Sequence, residues 1–375
     1  MTNLYSKVRV VVVGGGLAGH KIAFHLQNKA QVTLIDPKDF FEIPMAVPRL
    51  FVEPSRAKDA VIPYTEFLPQ VTHIQGKAVN ATPAYVVVES IKGDNAIVKV
   101  EYDYLVLATG SNYFDDSVKA HLGTTEQRRN YFFSVNEQLT IAQKILIVGG
   151  GPVGVEIAGE IVEDYPGKQV TLVQKTPYLL PDTSKKPQED AAQFLQNKGV
   201  RLIFEEKVVH TDCDETAKTK VAITDQGTQI EYNMLFWCTG ATSDTSYIKE
   251  YFKDALDEAG RVRVNENLSV VGYDNIFAVG DIIALPENKL GLLADKHATV
   301  VIKNLEKLLM NPSIQPSKLK KYKPAIGSQV MIVTLGRNHG VGHFPFEIFG
   351  SNWIAKIIKS KDMLVSMYRK GINLK

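Results

Sequence analysis

Two glycine-rich segments are the residues of this chain best suited to chemistry. Each fits the pattern GxGxxG, follows an apolar run and opens a stretch with helical spacing, which is the context that dinucleotide binding requires. In this pattern the first glycine permits a tight turn, the second lets the backbone approach a diphosphate, and the third lets the helix pack on the strand. Unpaired amides at the helix N-terminus then bind the diphosphate. The two segments consist of Gly14, Gly15, Gly16, Leu17, Ala18 and Gly19, and of Gly149, Gly150, Gly151, Pro152, Val153 and Gly154.

The residue that ends the strand after each predicted helix differs between the two segments. Asp36 ends the first of these strands, and a carboxylate there accepts hydrogen bonds from ribose hydroxyls. Gln174 and Lys175 end the second. An acid would repel the 2′-phosphate of NADPH, whereas these two residues would not. We therefore expect the second site to accept NADPH as well as NADH.

A third signal is an apolar run that leads to Gly280 and Asp281. A strand that ends in Gly-Asp places a carboxylate where the ribityl chain and phosphate of a flavin run, although an ordinary strand and turn is the other interpretation. Because the pair follows both glycine segments, the order favours FAD as the bound cofactor. Strand ends of related character precede it at Thr109, Gly110, Thr239 and Gly240.

The elements that must position these residues form a strand, turn, helix, strand unit, which the chain contains twice. The first unit covers about 7–35 and the second about 144–173. A helix is expected at about 292–310, and the polar stretch 311–323, with its two prolines, indicates a boundary. The pattern predicts an α/β fold with two nucleotide-binding units, followed by a small α+β C-terminal domain.

Composition excludes several classes of protein. The hydrophobic share of 45% and the charged share of 22% are typical of soluble globular proteins. The two cysteines, Cys213 and Cys238, form no CxxC pair, which argues against a disulfide framework, a zinc site and an electron-relaying dithiol. We see no signal peptide and no apolar run near the roughly 20 residues of a membrane-spanning helix, and Thr2 does not fit an N-myristoylation motif. We expect an intracellular, cytoplasmic protein, or one attached peripherally to a membrane or lipid droplet.

The formal net charge of +2 conceals an uneven distribution. From Ser313 to the end of the chain there are 11 Lys and Arg residues against 2 acids, so the preceding part is acidic overall. We expect this basic C-terminal piece to be a separate structural unit. No nucleic-acid recognition module is apparent, and no nucleic-acid partner is expected.

Taken in order, these residues resemble those of the pyridine-nucleotide:flavin oxidoreductases. Within that superfamily the chain most resembles the apoptosis-inducing-factor-like proteins of the ferroptosis-suppressor branch, which are FAD-dependent NAD(P)H:quinone reductases. The resemblance covers nearly the whole chain. Its most telling stretches outside the first glycine segment are 154–156, 165–166, 335–342 and 359–366.

The resemblance implies a layout and an activity. It implies two Rossmann-like dinucleotide-binding domains in the glutathione-reductase-like arrangement, with the FAD domain in 1–125 and 241–312. The NAD(P)H domain would then cover 126–240, and the basic C-terminal domain 313–375. Electrons would pass from NADH or NADPH through FAD to a quinone such as ubiquinone. The alternatives are a redox-responsive signalling or scaffold flavoprotein and a type II NADH dehydrogenase.

The resemblance also implies roles for single residues. Arg49 and Val79 match FAD contacts, and Glu156 matches a residue near the nicotinamide and the flavin. Lys359 matches a lysine directed toward the flavin, where a cation stabilises negative charge. The alternatives are that Glu156 is an acid stabilised by the helix dipole and that Lys359 is a solvated charge on the basic domain.

The route by which electrons leave is less defined. Type II NADH dehydrogenases carry a glutamine-containing quinone motif on the helix after the Gly-Asp pair, whereas this chain has His297 there, either facing a quinone or serving as a hydrogen-bonded structural residue. The aromatic residues of the C-terminal domain lie near several lysines, a mixture suited to an anionic membrane surface. The other interpretation is a domain core or a homodimer interface. These residues are Phe344, Phe346, Phe349, Trp353 and Ile354.

Overall fold

The computed structural model describes residues 8–91, 96–113, 115–120, 122–212, 218–240, 242–326, 330–344, 354 and 356–375. The strands are β1 Arg9–Val13, β2 Gln31–Asp36, β3 Phe40–Glu42, β4 Val61–Pro63, β5 Thr72–Ala81, β6 Tyr85–Ser90, β7 Ile97–Glu101, β8 Tyr104–Leu107, β9 Ser111–Asn112, β10 Lys144–Val148, β11 Gln169–Gln174, β12 Arg201–Phe204, β13 Val208–Thr211, β14 Lys220–Thr224, β15 Gln229–Tyr232, β16 Met234–Trp237, β17 Thr242–Ser243, β18 Ile276–Ala278, β19 Met331–Leu335 and β20 His339–His343. The α-helices are α1 Gly19–Leu26, α2 Val47–Leu50, α3 Ala57–Ala60, α4 Tyr64–Phe67, α5 Thr125–Ile141, α6 Pro152–Asp164, α7 Lys185–Asn197, α8 Gly291–Met310 and α9 Val365–Gly371.

The first nucleotide-binding unit lies in a sheet with the order β18-β8-β1-β2-β5-β6-β7. Its first five strands are parallel, and β6 and β7 complete it as an antiparallel meander. Strand β1 is apolar from Val10 to Val13 and buried throughout, because a parallel sheet is covered on both faces. Since β18 lies far along the chain, this sheet combines segments from before and after the second unit.

The second unit lies in a parallel sheet with the order β12-β11-β10-β16. Beside it stands the antiparallel sheet β13-β14-β15. Short strands β9 and β17 pair where the chain passes between the two parallel sheets. The two predicted units and the helix expected at about 292–310 are therefore confirmed as elements, whereas the three domain boundaries stay predictions.

The C-terminal part consists of the β19–β20 hairpin, a π-helical turn at Lys356–Ser360 and α9. The hairpin packs directly on α6, where a Cβ added to Gly159 would lie 2.8 Å from the Cα of Leu335. This close approach seats the C-terminal segment on the helix that carries Glu156. Most of the aromatic residues assigned to a membrane or dimer surface, namely Phe346, Phe349 and Trp353, lie outside the described residues.

Candidate functional site

The first glycine segment forms the turn that the sequence predicts. Gly14 has a φ of +97° and donates its N–H to the carbonyl oxygen of Ile35 at 2.8 Å. A Cβ added to Gly19 would lie 1.8 Å from the carbonyl oxygen of Gly14, so only glycine allows α1 to pack this closely. In contrast, a Cβ on Gly16 would meet nothing within 4 Å. The turn is closed on its strand side and open at Gly16, as a diphosphate cradle must be.

Asp36 is buried at the end of β2 and holds the turn from beside it. Its Oδ2 accepts from the N–H of Gly15 at 2.5 Å, and its Oδ1 accepts from the N–H of Lys38 at 2.8 Å. The ammonium group of Lys38 lies 3.0 Å from the same carboxylate. Tyr64 covers Gly15, donating its hydroxyl to the Gly15 carbonyl oxygen at 3.1 Å. No motif in the sequence pointed to Tyr64, since it joins the turn only through tertiary packing.

Two further residues predicted for this segment line the start of α1. Ala18 is buried directly before the helix, and Leu17 is partly buried against the core. A Cβ added to Gly291 would lie 2.7 Å from the Cδ1 of Leu17, which places α8 beside the turn. The first N–H groups of a helix have no intrahelical acceptor, and here they adjoin the open side at Gly16. These residues fit the diphosphate of a dinucleotide.

The second glycine segment has the same pattern of closed and open glycine positions as the first. Gly149 has a φ of +111°, and a Cβ on Gly154 would lie 2.0 Å from the Gly149 carbonyl oxygen. Gly151 faces open space, as Gly16 does. Gln174 takes the place of Asp36, because its Oε1 accepts from the N–H of Gly150 at 2.9 Å.

The end of β11 carries no carboxylate, and its side chains are polar or cationic. Its Nε2 donates to the hydroxyl of Thr176 at 2.6 Å, and Thr176 donates in turn to the carbonyl oxygen of Tyr178 at 2.8 Å. Lys175 is exposed beside it. The Gln174 amide is thus fixed by the fold, and the Lys175 ammonium is accessible to an anion.

The predicted strand ends lie at the carboxyl edges of the two parallel sheets. Gly110 and Gly280 follow β8 and β18 of the first sheet, and Gly240 follows β16 of the second. Gly110, Gly240 and Gly280 all have positive φ, at +71°, +84° and +78°. Thr109 donates its hydroxyl to the carbonyl oxygen of Asp244 at 2.6 Å, which joins the edge to the chain that follows β17. Asp281 accepts from the hydroxyl of Ser111 at 2.7 Å. Sequence patterns did not single out Ser111, although it directly follows the Thr-Gly pair.

His297 is a structural residue in this arrangement. Its Nδ1 accepts from the N–H of Gly280 at 3.2 Å, and its Nε2 lies 2.7 Å from Oε1 of Glu287. Because Nδ1 is an acceptor, the ring proton is on Nε2 and is donated to the carboxylate. Burial raises the pKa of Glu287, but hydrogen bonds from His297, the Ala325 N–H and Tyr322 together hold it below its ordinary value. The buried ring therefore fixes the Gly280 turn.

Glu156 and Lys359, the two predicted catalytic residues, form a buried ion pair. The Lys359 ammonium donates to Oε1 of Glu156 at 2.5 Å and to the carbonyl oxygen of Ile332 at 3.2 Å. The same Glu156 oxygen accepts from the N–H of Thr334 at 3.0 Å. Lys359 lies in the π-helical turn, a rare conformation that is frequent at functional sites. The interpretation of Lys359 as a solvated surface charge is wrong, because its side chain is 9% exposed.

Arg49 forms a second buried ion pair one helical turn farther along α6. Its guanidinium binds both oxygens of Glu160, with the Nη2 contact at 2.9 Å, and Nη2 also donates to the carbonyl oxygen of Ser360 at 3.1 Å. Exposure of the two side chains is 2% and 0%. Burial raises the pKa of Glu160, and the Arg49 charge opposes that shift. Arg49 thus ties the first unit, α6 and the C-terminal turn together, and its predicted FAD contact stays a prediction.

A third set of contacts completes the junction on α6. Arg337 pairs with Asp164 and, at 3.1 Å, with Glu53, while its N–H donates to Glu163 at 2.7 Å. In the sequence, the only signal for this role of Arg337 is its place after Gly336 in the stretch 335–342, which resembles the family. The predicted site residue Val79 lies elsewhere, on β5 beyond Gln75, the residue that pairs with Asp36, and is 40% exposed.

Among the residues that the structure describes, no helix combines the length and the apolar character needed to cross a bilayer.

Comparisons with known proteins agree with this geometry. The family model described as pyridine nucleotide-disulphide oxidoreductase matches residues 8–303. Ferroptosis suppressor protein 1 of Taeniopygia guttata is 34% identical over 97% of this chain and 95% of its own length. The human protein of that name is 30% identical over 96% and 94%. Apoptosis-inducing factor homolog B of Dictyostelium discoideum is 28% identical over 98% and 97%.

Solved structures show the same fold at low identity. NDH2 of Plasmodium falciparum in complex with NADH has a TM-score of 0.76 at 15% identity, covering 96% of this chain and 97% of that one. The sulfide:quinone oxidoreductase of Aquifex aeolicus has a TM-score of 0.74 at 19% identity, covering 97% and 91%. The predicted resemblance is confirmed: this chain is an oxidoreductase and belongs to the pyridine nucleotide-disulphide oxidoreductase family.

Proposed function

We propose that this protein is an FAD-dependent NAD(P)H:quinone oxidoreductase. The observation that carries the proposal is the pair of glycine turns, each closed by its third glycine and open at its second. Two such cradles on two parallel sheets suit two dinucleotides held at once. The names of relatives support the acceptor class, since one fold neighbour is a sulfide:quinone oxidoreductase.

The first turn is the proposed FAD site. Asp36 would bind the ribose of the adenosine, Gly16 and the α1 N-terminus the diphosphate, and Asp281 the ribityl side. Arg49 and Val79 are proposed as further contacts on the strength of the resemblance. When bound, the flavin supplies the chemistry of accepting hydride and releasing electrons.

The second turn is the proposed NAD(P)H site. Gly149, Gly151 and Gly154 would shape the diphosphate cradle. Gln174 and Lys175 would lie beside the adenosine ribose, where no carboxylate from the strand end repels a 2′-phosphate.

The buried Glu156–Lys359 pair would act where the two dinucleotides meet. Glu156 and the Ile332 carbonyl oxygen hold the ammonium in place, so no reorganisation is needed when charge develops nearby. A preorganised cation of this kind stabilises negative charge on the cofactor. Glu156 orients the lysine within the protein interior.

The acceptor is proposed to be a diffusible quinone. The sequence has two cysteines, Cys213 and Cys238, which are not adjacent, so a CxxC dithiol cannot receive the electrons. Burial also raises the pKa of the Cys238 thiol, which makes it a poor nucleophile. Peripheral membrane binding and a homodimer through the C-terminal domain remain predictions of the sequence.

The test is anaerobic mixing of purified protein with NADH or NADPH, followed by ubiquinone analogues. We expect rapid loss of flavin absorbance and rapid reoxidation by quinone. Gly151→Val, which fills the second cradle but not the first, should keep the flavin bound and abolish its reduction. A persistent complex that quinone does not reoxidise would contradict the proposal and favour a redox-responsive scaffold.

A further inference from the structure

Lys119 is a cation at the first nucleotide site that no motif assigns. It follows β9, and its ammonium donates to the carbonyl oxygen of Ser111. A Cβ added to Gly110 would lie 3.5 Å from the Nζ of Lys119. Gly110 lies just beyond β8, the strand next to β1, so the ammonium lies at the carboxyl edge of the sheet, near the first glycine turn.

Two other cations near Lys119, Lys38 and Arg128, are already paired with carboxylates. Lys38 lies 3.0 Å from Asp36, and Arg128 lies 2.6 Å from Glu42. Within the described part of the chain, the Lys119 ammonium donates to this carbonyl oxygen and forms no ion pair. Its charge can therefore pair directly with a bound anion.

The position of Lys119 relative to the two acids of the site indicates which anion that would be. Asp281, at the proposed ribityl end, favours the charged form of Lys119, and so does Asp36, at the proposed ribose end. The group that lies between ribose and ribityl chain in FAD is the diphosphate. Burial lowers the pKa of Lys119, so the site without ligand is an unfavourable place for its charge.

We propose that Lys119 binds the diphosphate of FAD and supplies the cation that offsets its charge. This inference rests on the proposed function, because it assumes FAD in the first cradle. The glycine turn and α1 would contribute only amide dipoles to the diphosphate, whereas Lys119 would contribute a full positive charge.

Release of FAD from the purified holoenzyme tests the proposal. Flavin content is read from absorbance, and release after dilution is read from the rise in flavin fluorescence. Lys119→Met removes the charge at similar length and should speed release by about tenfold or more, the effect of losing a charge-assisted hydrogen bond. Lys119→Arg keeps the charge and should release FAD more slowly than Lys119→Met.

Lys168→Met is the matched control. Lys168 also donates to backbone carbonyl oxygens, at 3.0 Å to Thr140 and 2.6 Å to Ala142, and burial lowers its pKa as well. It lies at the start of β11, at the edge of the second sheet opposite to the glycine turn. Its replacement should leave FAD release within about twofold of the wild type.

Salt dependence gives a readout that a merely structural lysine would not change. Raising NaCl from 50 to 500 mM should accelerate release from the wild type, because salt screens the ion pair, and should have less effect on Lys119→Met. Equal salt responses, or release from Lys119→Met no faster than from Lys168→Met, would overturn the inference. If Lys119→Met does not fold, Lys119→Gln, which removes the charge and keeps a polar end, replaces it in both comparisons. A wild type that purifies without FAD would instead refute the proposed function.

Discussion

The two glycine turns have the same backbone and different chemistry. Strands β2 and β11 even begin with the same four residues, Gln-Val-Thr-Leu, and bury the same positions. At the end of these strands, however, Asp36 brings a carboxylate paired with Lys38, whereas Gln174 brings a neutral amide fixed by Thr176. Glycine spacing therefore specifies the shape of the turn. The charge beside the turn depends on the side chain at the strand end.

The helices after the two turns carry opposite charges at equivalent positions. Two positions after the last glycine, α1 has Lys21 and α6 has Glu156. Lys21 pairs with Asp295 of α8 at 2.7 Å, and Glu156 pairs with Lys359 of the C-terminal turn at 2.5 Å. Equivalent helix faces thus seat different later segments. The pair on α6 is the more deeply buried of the two.

The largest effects are expected from a methyl group added at the third glycine of each turn. Gly19→Ala and Gly154→Ala both place a methyl group within 2.0 Å of a carbonyl oxygen, so we expect each to cost more than about 4 kcal/mol of local stability. Gly19→Ala should purify without flavin, whereas Gly154→Ala should retain flavin that NADH cannot reduce. Absorbance spectra before and after NADH distinguish the two variants.

The controls for this pair are Gly16→Ala and Gly151→Ala, whose methyl groups meet no protein atom within 4 Å. They should fold normally and weaken only the dinucleotide at the same turn. Equal loss of flavin from Gly19→Ala and Gly154→Ala would show that the two units are not independent.

Breaking the ion pairs on the two helices should give the next largest effects. Lys359→Met leaves Glu156 charged and unpaired in the interior, which costs roughly 3–5 kcal/mol in urea unfolding. Lys21→Met breaks a partly exposed pair and should cost about 1 kcal/mol or less. Adding Glu156→Gln to Lys359→Met should recover part of the lost stability, because the buried charge is then gone.

Flavin reduction separates a catalytic from a structural role for Lys359. We expect NADH to reduce the flavin of Lys359→Met at least about tenfold more slowly, an effect of a lost preorganised charge. Lys21→Met serves as the comparison and should be reduced at the wild-type rate. A normal rate in Lys359→Met would restrict the pair to holding the C-terminal segment on α6.

Acid sensitivity should be a property of the first unit. His20 directly follows Gly19, stacks on Phe41 and donates its Nδ1–H to the Gly16 carbonyl oxygen at 2.8 Å; Val155 takes its place in the second unit. Burial lowers the pKa of His20 from 6.5 to about 4. Between these values the unfolded chain binds a proton that the folded chain does not, so stability falls as pH falls, by about 3 kcal/mol in total.

Urea unfolding at several pH values measures this effect. His20→Val, which copies the second unit, should show a shallower loss of stability between pH 6.5 and about 4. Identical pH slopes in the wild type and in His20→Val would assign the acid sensitivity to another group.

The smallest predicted effect concerns the choice of nicotinamide cofactor. Gln174→Glu keeps the acceptor for the Gly150 N–H and gives the second unit an acid like Asp36. We expect kcat/KM for NADPH to fall about tenfold more than that for NADH, because a carboxylate beside the 2′-phosphate repels it. Lys175→Ala should lower NADPH use a few-fold and spare NADH. Parallel losses for both cofactors would place the 2′-phosphate elsewhere.

Much of the site could be predicted because its geometry is local. A positive φ at Gly14 and at Gly149 and the close approach at the third glycine depend on residues within one short turn, so spacing alone indicates them. The strand, turn, helix, strand unit has a regular length, so the positions of the strand-end residues Asp36 and Gln174 could be predicted from the sequence. Hydrophobic patterning likewise predicted the parallel strands and α8.

Other contacts could not be read from the sequence because they join distant segments. Arg49 meets Glu160 across 111 positions, and Lys359 meets Glu156 across 203. Lys119 and Tyr64 lie in no recognisable motif, and Arg337 lies only in a stretch that resembles the family. Their roles depend on which chain segments the fold brings together.

By itself the sequence determined two dinucleotide cradles, their order and the unlike residues that end their second strands. Backbone sterics act between near neighbours, so a few glycines suffice to specify them. Only the tertiary structure decided that Arg49, Glu156, Glu160 and Lys359 form buried pairs on one helix, and that His297 supports a turn. The physical reason is that buried charges are stable only beside compensating partners, and here those partners lie far away in the sequence, so only the packing of the first unit and the C-terminal segment on α6 brings them together.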